Sequence, residues 1–322
     1  QVLEMGDNVG GTWYWNRYPG ARCDAESLAY SYSFSPELEQ EWEWTERYAT
    51  QPEILKYAEH VADRFDLKRD ILFNQKVTSA VYDQGHNEWH VLTEQGHEAR
   101  GHFCVMATGC LSVPQLPAID GVADFQGPRY QASLWPHEGV DFSGQTVGII
   151  GTGSSGIQAI PVIASQAQHL YVFQRTPNYS VPAVNGPLDD AWVEQFKQHY
   201  RDHRRFHKLG LSSGFGDLEI EPVERTPAAE TAAGLSDEEV NEILEERWQR
   251  GGAFFLGAFA DSLINPETNE KCAEFVRNKI RTIVDDPETA ELLCPKDHPI
   301  GSKRICVDTG YYETYNRDNV TL

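Results

Sequence analysis

A glycine-rich turn near the middle of the chain constrains the fold more than any other feature. The apolar run 147–150 leads into six residues with G-x-G-x-x-G spacing: Gly151, Thr152, Gly153, Ser154, Ser155 and Gly156. In a strand-turn-helix unit that binds a dinucleotide, the first glycine permits the turn, the second admits a pyrophosphate and the third lets helix and strand pack closely. The helix N terminus then offers free N–H groups to the phosphates. The turn therefore predicts an α/β fold with a Rossmann-like domain.

The residues after the next apolar run, 170–173, indicate which nucleotide binds. Arg175 and Thr176 lie where an NAD-binding unit would place an acid for the ribose hydroxyls. A guanidinium favours a 2′-phosphate because it is a fixed cation with a planar set of donors. The sequence therefore predicts NADP(H).

The chain begins with a pattern typical of a second nucleotide unit. Val2 and Leu3 form a short apolar strand that ends at Glu4, which would hold ribose hydroxyls. Such a unit should start with its own strand and glycine turn upstream, so we expect the sequence to begin inside a domain. The alternative is a complete protein with a short edge strand at Val2 and Leu3.

Composition narrows the function classes. Among 322 residues, 49 are acidic and 27 basic, giving a net charge of −22, which argues against nucleic acid or an anionic membrane as a partner. No apolar run is long enough for a membrane helix and no signal segment is visible, so a cytoplasmic location is the default expectation. The six cysteines show no C-x-x-C and no metal spacing, so we expect reduced thiols and no metal.

Periodicity predicts most of the other elements. We expect a helix over 51–65, because Pro52 suits its first turn and its apolar residues share one face. The region from about 188 to 293 is expected to be mostly helical, and the polar segment 207–234 to be a surface loop. Strands are predicted at 76–82, 89–93, 103–106 and 146–150.

Several motifs together resemble the flavin-dependent Baeyer–Villiger monooxygenases, particularly those that act on phenylacetone, cyclohexanone and steroid-type ketones. They are the aromatic and glycine-rich loop 10–24, the small residues 107–109, the glycine turn, the segment 172–177 and the segment 303–313. The family's linker fingerprint F-x-G-x-x-x-H-x-x-x-W-P matches residues 125–136, except that Gln131 replaces the histidine. Glutamine hydrogen-bonds but does not titrate near neutral pH, so NADP-linked steps are expected to differ.

The resemblance implies two Rossmann-like domains, one for FAD and one for NADP(H). Residues 1–113 would form a partial FAD domain, and residues 114–322 the NADP domain with the linker 125–136 and a helical insertion at about 188–295. The implied reaction inserts one oxygen atom from O2 beside a ketone carbonyl, using FAD and NADPH through a flavin peroxide, and yields an ester or lactone. Two alternatives stay open: an N- or S-oxygenating flavin monooxygenase, and an NADP-binding fragment without chemistry.

The resemblance also implies roles for individual residues. Arg304 would stabilise the peroxide and oxyanion as a fixed cation, and Asp24 would pair with it. Lys303, Arg175 and Thr176 would bind the 2′-phosphate. The positions that match FAD contacts are Glu4, Thr12, Trp13, Trp15, Asp24 and Tyr30, with Val77 and Cys110 as weaker candidates. Taken singly, the tryptophans suit a core equally well and Arg304 a solvated surface.

Overall fold

The computed structural model of the protein describes residues 1–111, 113–209 and 231–322. The strands are β1 (Val2–Leu3), β2 (Ile71–Leu72), β3 (Val77–Asp83), β4 (Glu88–Thr93), β5 (Glu98–Gly101), β6 (Thr146–Ile150), β7 (His169–Phe173), β8 (Ser180–Pro182), β9 (Cys306–Asp308) and β10 (Val320–Thr321). The α-helices are α1 (Thr12–Trp15), α2 (Pro36–Glu41), α3 (Gln51–Arg64), α4 (Ser154–Gln166), α5 (Asp190–Gln198), α6 (Tyr200–Leu209), α7 (Asp237–Arg250), α8 (Pro266–Ile283) and α9 (Pro287–Leu293). Short 3₁₀ segments lie at Leu67–Asp70, Val122–Asp124, Ala132–Leu134, Ala253–Ala258 and Glu313–Asn316. Within the described residues, no helix combines the length and apolarity needed to cross a membrane.

The described residues divide into two compact units. The first unit comprises Gln1–Tyr18 and Gln51–Gly139, and the second comprises Pro19–Thr50 and Val140–Leu322. This division differs from the predicted boundary at residue 113, because the excursion 19–50 belongs to the second unit and the fingerprint 125–136 to the first. Hydrogen bonds fix the excursion: the Arg47 guanidinium donates to the Arg250 carbonyl at 2.7 Å, and the Tyr48 N–H to Asn185 Oδ1 at 2.9 Å. Which residues belong to which cofactor domain stays a prediction.

In the first unit, a strand pair and one amphipathic helix match the sequence pattern. β1 pairs in parallel with β2. The predicted helix over 51–65 is confirmed as α3, which buries one face through Ile54, Leu55, Val61 and Ala62.

An antiparallel sheet in the order β3-β4-β5 also belongs to the first unit. Its first two strands confirm the prediction, but the strand predicted at 103–106 is wrong. Phe103 is 91% exposed and Val105 88% exposed, and no described strand pairs with this segment. The apolar run therefore forms no ladder, because a strand needs a neighbour for its backbone N–H and C=O groups. The third strand is instead the polar β5, which pairs with β4.

The second unit contains the predicted nucleotide-binding fold. Among its described residues, β10, β7 and β6 form a parallel sheet in that order, and α4 connects β6 to β7. Leu170 and Val172 on β7 are buried, as are Ile157, Ile160 and Ile163 on α4. The predicted strands and helix around the glycine turn are confirmed.

Helices α5 to α9 confirm the helical character predicted for the later part of this unit. The capping box of α7 is present, since the Glu239 N–H donates to Ser236 Oγ at 3.3 Å and the Ser236 N–H to Glu239 Oε2 at 2.8 Å. The loop predicted at 207–234 lies mostly outside the described residues, and its first residues belong to α6. β8 and β9 pair in parallel and carry the segment just after Lys303 and Arg304.

Candidate functional site

The three glycines of the turn each meet a different steric demand. Gly151 has a φ of +104°, which side chains other than glycine rarely adopt. A Cβ on Gly156 would lie 2.2 Å from the Gly151 carbonyl oxygen, so the helix packs closely only because this residue is glycine. A Cβ on Gly153 would meet no protein atom within 4 Å, so space is open at this residue. This is the geometry that a pyrophosphate at a helix N terminus requires.

Thr152 joins the turn to the segment after β7. Its side chain is buried, and its hydroxyl lies 3.2 Å from Gln174 Oε1 and 3.4 Å from the Thr176 carbonyl oxygen. Gln174 in turn donates to the Leu292 carbonyl at 2.9 Å. Thr152 and Thr176 are therefore brought together, as a shared nucleotide site demands. Ser154 Oγ lies 3.4 Å from Cys306 Sγ, and among the described residues no side chain caps the N terminus of α4.

Arg175 and Lys303 supply unpaired positive charge in the second unit. Both side chains are exposed, and neither forms an ion pair with a described residue. In a chain with a net charge of −22, such cations are available to an anionic ligand. Binding of a 2′-phosphate by Arg175 and Lys303 stays a prediction.

Asp24 and Arg304 are brought together although 280 positions separate them in the sequence. Arg304 Nε lies 3.5 Å from Asp24 Oδ2, and the side chain of Asp24 is 11% exposed whereas that of Arg304 is 67% exposed. Burial raises the pKa of the Asp24 carboxyl, while the Arg304 guanidinium and the Gln158 amide lower it. In this pair the Asp24 carboxylate is held in place, and the Arg304 guanidinium is exposed to solvent.

The backbone of Arg304 is anchored separately from its side chain. Asn178 Nδ2 donates to the Arg304 carbonyl at 3.2 Å and also lies 3.2 Å from Cys306 Sγ. β9 begins two residues after Arg304 and pairs with β8, so the loop is held at its end. Arg304 therefore combines an anchored backbone with an exposed guanidinium.

The aromatic residues of the predicted FAD site lie on the single helical turn α1 in the first unit. Tyr14 is the buried member, and its hydroxyl donates to Asp7 Oδ1 at 2.7 Å. Trp13 and Trp15 are half-buried, and the Trp15 ring packs edge-on against Tyr14 at 4.8 Å between centroids. Thr12 is exposed. The core role considered for the two tryptophans therefore falls to Tyr14, and their rings keep accessible surface.

Glu4 lies at the carboxyl end of β1, where a parallel pair of strands presents its ligand-binding edge. Its Oε1 accepts a hydrogen bond from the Gly6 N–H at 2.7 Å. This bond orients the carboxylate without burying it. The position suits the predicted contact with ribose hydroxyls.

The remaining FAD candidates are Val77, Cys110 and Tyr30, and all three are exposed. Val77 begins β3 and pairs with Thr93, and Cys110 is an exposed thiol in the first unit. Tyr30 belongs to the second unit and is 40% exposed. The FAD roles of all three stay predictions.

Gln131 of the linker fingerprint ties two segments of the first unit. Its Nε2 donates to the Gln115 carbonyl at 2.9 Å, and its Oε1 is buried without a hydrogen-bond partner among the described residues. The Tyr130 and Trp135 rings of the same fingerprint lie 5.5 Å apart. This amide link carries no titratable charge.

The six cysteines form no disulfide among the described residues. All six lie in the described part of the chain and are free there. Burial raises the pKa of the Cys23 thiol, next to Asp24, to about 12, so the reactive thiolate is suppressed. No group of metal-ligating side chains was found among the described residues.

Sequence reasoning missed Gln158 and Asn178, which hold Asp24 and Arg304. Gln158 is a buried polar residue on the inner face of α4, with its Nε2 3.0 Å from Asp24 Oδ1. A polar residue at an apolar helix position is a visible signal of a buried hydrogen bond. Its partner, however, lies 134 residues away and is invisible in the sequence.

Two kinds of sequence comparison agree with this geometry. Residues 24–213 match the family described as pyridine nucleotide-disulphide oxidoreductase. A Baeyer–Villiger monooxygenase of Pseudooceanicola batsensis is 42% identical over 322 residues, covering 99% of this chain and 57% of that protein. Phenazine N-monooxygenase PhzNO1 of Lysobacter antibioticus is 38% identical over 325 residues, covering 100% of this chain and 58% of that protein. The chain thus spans less than two thirds of the length of these relatives.

Solved structures give the same result at the level of the fold. An oxidized steroid monooxygenase bound to NADP is 55% identical, with a TM-score of 0.91, and the match covers 100% of this chain and 60% of that one. The OTEMO complex with FAD and NADP is 40% identical, with a TM-score of 0.89, covering 99% and 59%. The predicted resemblance and the predicted α/β fold are confirmed.

Proposed function

This chain belongs to the pyridine nucleotide-disulphide oxidoreductase family, and we propose that it acts in a flavin-dependent Baeyer–Villiger monooxygenase. The substrates would be a ketone, NADPH and O2, and the product an ester or lactone. The disulphide chemistry in the family's description does not fit these free cysteines, which lack C-x-x-C spacing. A cytoplasmic location stays a prediction.

The pairing of Asp24 with Arg304 is the observation that carries the proposal. Insertion of oxygen beside a carbonyl develops negative charge on oxygen, which a fixed cation stabilises. A guanidinium keeps its charge at any working pH, so Arg304 serves this role without losing a proton. Asp24 supports it because the carboxylate is held in place while the guanidinium stays exposed to a ligand.

The residues present fit both cofactors. The open space at Gly153 and the uncapped start of α4 suit a pyrophosphate, and Arg175 and Lys303 suit the 2′-phosphate of NADP(H). Glu4 suits the ribose of FAD. Thr12, Trp13 and Trp15 follow Glu4 closely in the sequence and keep accessible surface. When bound, FAD would accept a hydride from NADPH and provide the redox chemistry for oxygen transfer.

Labelled oxygen tests the proposal directly. The full-length protein, loaded with FAD, is incubated with NADPH, ¹⁸O2 and a panel of cyclic, aryl and steroid ketones. We expect at least one ketone to gain one ¹⁸O atom as an ester or lactone, detected by mass spectrometry. If no ketone of the panel yields such a product while the flavin is still reduced by NADPH, the proposal is wrong.

One relative favours a second candidate function. The 38% identity to a phenazine N-monooxygenase shows that this scaffold also occurs in a protein named for oxygenation at nitrogen. Adding aromatic N-heterocycles and sulfides to the same panel distinguishes the two. Preferential labelling of an N-oxide or sulfoxide in competition with ketones would favour the second function.

A further inference from the structure

We propose that Gln158 is a positioning residue that holds the Asp24 carboxylate facing Arg304 from the helix of the glycine turn. The inference deepens the proposed function and, in its effect on oxygenation, rests on it. Gln158 itself is placed to touch the carboxylate and its backbone rather than a substrate.

The amide of Gln158 binds the segment 22–24 at three points. Its Nε2 donates to Asp24 Oδ1 at 3.0 Å and to the Arg22 carbonyl at 3.1 Å, and its Oε1 accepts from the Arg22 N–H at 3.4 Å. Gln158 is 8% exposed, so water competes little for these bonds. One side chain thus fixes both the backbone and the carboxylate of this segment.

A glycine brings the same segment against the backbone of α4. Gly20 has a φ of +76°, and a Cβ there would lie 2.2 Å from the Gln158 carbonyl oxygen. Any other residue would push the segment away from the helix. The close approach places Asp24 within reach of the Gln158 amide.

The two oxygens of Asp24 divide between Gln158 and Arg304. Oδ1 accepts from Gln158, and Oδ2 lies 3.5 Å from Arg304 Nε. Asp24 is the more buried partner and Arg304 the exposed one. The group that holds Asp24 in place therefore also determines where its carboxylate meets the guanidinium. Gln158 supplies that restraint from a helix that begins in the glycine turn. The nucleotide helix and the exposed cation are therefore connected through one amide.

The charge state of Asp24 depends on the same contact. Burial raises its pKa, and Arg304 and Gln158 are the groups that lower it. Among the described residues, the Cys23 and Cys306 thiols also interact with it, and burial raises their own pKa values, so they are neutral near pH 7. Without the amide, protonation of Asp24 extends to higher pH, and a neutral Asp24 attracts Arg304 less.

Gln158→Met in the full-length protein removes the amide and keeps the length of the side chain. Gln166→Met is the matched control, because Gln166 is exposed on the same helix. For Q158M we expect a drop of about tenfold or more in ester formation at neutral pH, the factor expected when a hydrogen bond to a charged group is lost. The acid limb of its pH profile should move to higher pH, so activity recovers as pH rises. Q166M should follow the wild type.

Alkylation of Cys23 gives a readout that needs no turnover. Cys23 is adjacent to Asp24, its Sγ accepts from the Ala25 N–H at 3.4 Å, and burial raises its pKa to about 12. Loosening the segment 22–24 in Q158M should increase the rate of Cys23 labelling by a thiol reagent. Peptide mass spectrometry measures this rate, and Q166M should label as slowly as the wild type.

An acid limb that stays in place, or a Cys23 labelling rate equal to that of Q166M, overturns the proposal. If the wild type oxygenates no ketone, the proposed function fails, and the labelling rate alone decides whether Gln158 positions the segment. If Q158M does not fold, Gln158→Glu replaces it. Its carboxylate repels Asp24, so the acid limb must again move to higher pH, and an unmoved limb again overturns the proposal.

Discussion

Replacing Gly153 by alanine should separate nucleotide binding from folding. Gly153 has a φ of −86° and a ψ of −175°, which alanine adopts without strain, and the added Cβ meets no protein atom within 4 Å. Because alanine also has fewer unfolded conformations than glycine, the free energy of unfolding should stay unchanged or rise by about 0.4–1 kcal/mol.

The same methyl group should weaken NADP⁺ binding. It occupies the open space at the turn, where we expect the pyrophosphate to approach the backbone. An extra methyl group in a filled site costs about 1–3 kcal/mol. The dissociation constant for NADP⁺ should therefore rise by about 5- to 150-fold.

Gly156→Ala is the contrasting variant, because its Cβ would meet protein rather than ligand. The overlap with the Gly151 carbonyl oxygen, at 2.2 Å, must be relieved by moving the helix from the turn by about 1 Å to reach ordinary contact. We expect a loss of about 1–3 kcal/mol in the free energy of unfolding. Such a loss should lower Tm.

Titration calorimetry with NADP⁺ and thermal unfolding without nucleotide distinguish the two variants. G153A should bind weakly and unfold like the wild type, whereas G156A should unfold at lower temperature. Wild-type affinity in G153A would refute the idea that the pyrophosphate lies over this residue. Wild-type stability in G156A would refute the close packing derived from the 2.2 Å approach.

Three further predictions concern charged side chains. Arg304→Ala should abolish oxygenated product while NADPH still bleaches the flavin under anaerobic conditions; retained product would remove Arg304 from its role. Arg175→Ala should reduce the preference for NADPH over NADH by about tenfold or more in KM, because a charge-assisted bond to the 2′-phosphate is lost; an unchanged ratio would contradict that contact. Arg205→Ala, at another exposed arginine, is the control for both. Asp308 is buried, which raises its pKa from 3.8 to about 6, so the folded state binds the proton more tightly than the unfolded state. The free energy of unfolding should therefore fall as pH rises from about 4 to about 6. Asp308→Asn should remove this slope in denaturant titrations, and a retained slope would assign it to another group.

Features encoded by neighbouring residues were accessible from the sequence. The glycine turn, α3 and the capping box of α7 depend on residues a few positions apart, and the structure has all three. The predicted strand at 103–106 failed because a strand depends on a partner that periodicity does not reveal. The strand β5 was missed because its residues are polar and do not show a strand pattern. It forms a strand because it pairs with β4.

Contacts between distant residues explain what the sequence left out of the candidate site. The family resemblance suggested that Asp24 meets Arg304, and the structure shows the two at 3.5 Å. Nothing in the local pattern around Gln158 identifies Asp24 as its partner. The local pattern of the excursion 19–50 likewise does not reveal its hydrogen-bonding partners, which include Asn185 and Arg250.

The excursion 19–50 also sets an order for folding during synthesis. Gln158 leaves the ribosome 134 residues after Asp24, which is about 7–27 s later at usual rates of translation. During that interval the segment with Cys23 and Asp24 lacks its partner Gln158, while the first unit is already being completed up to Gly139. Nascent chains that have emerged from the ribosome up to a point between residues 140 and 158 should therefore show a structured α3 and a protease-sensitive excursion at once.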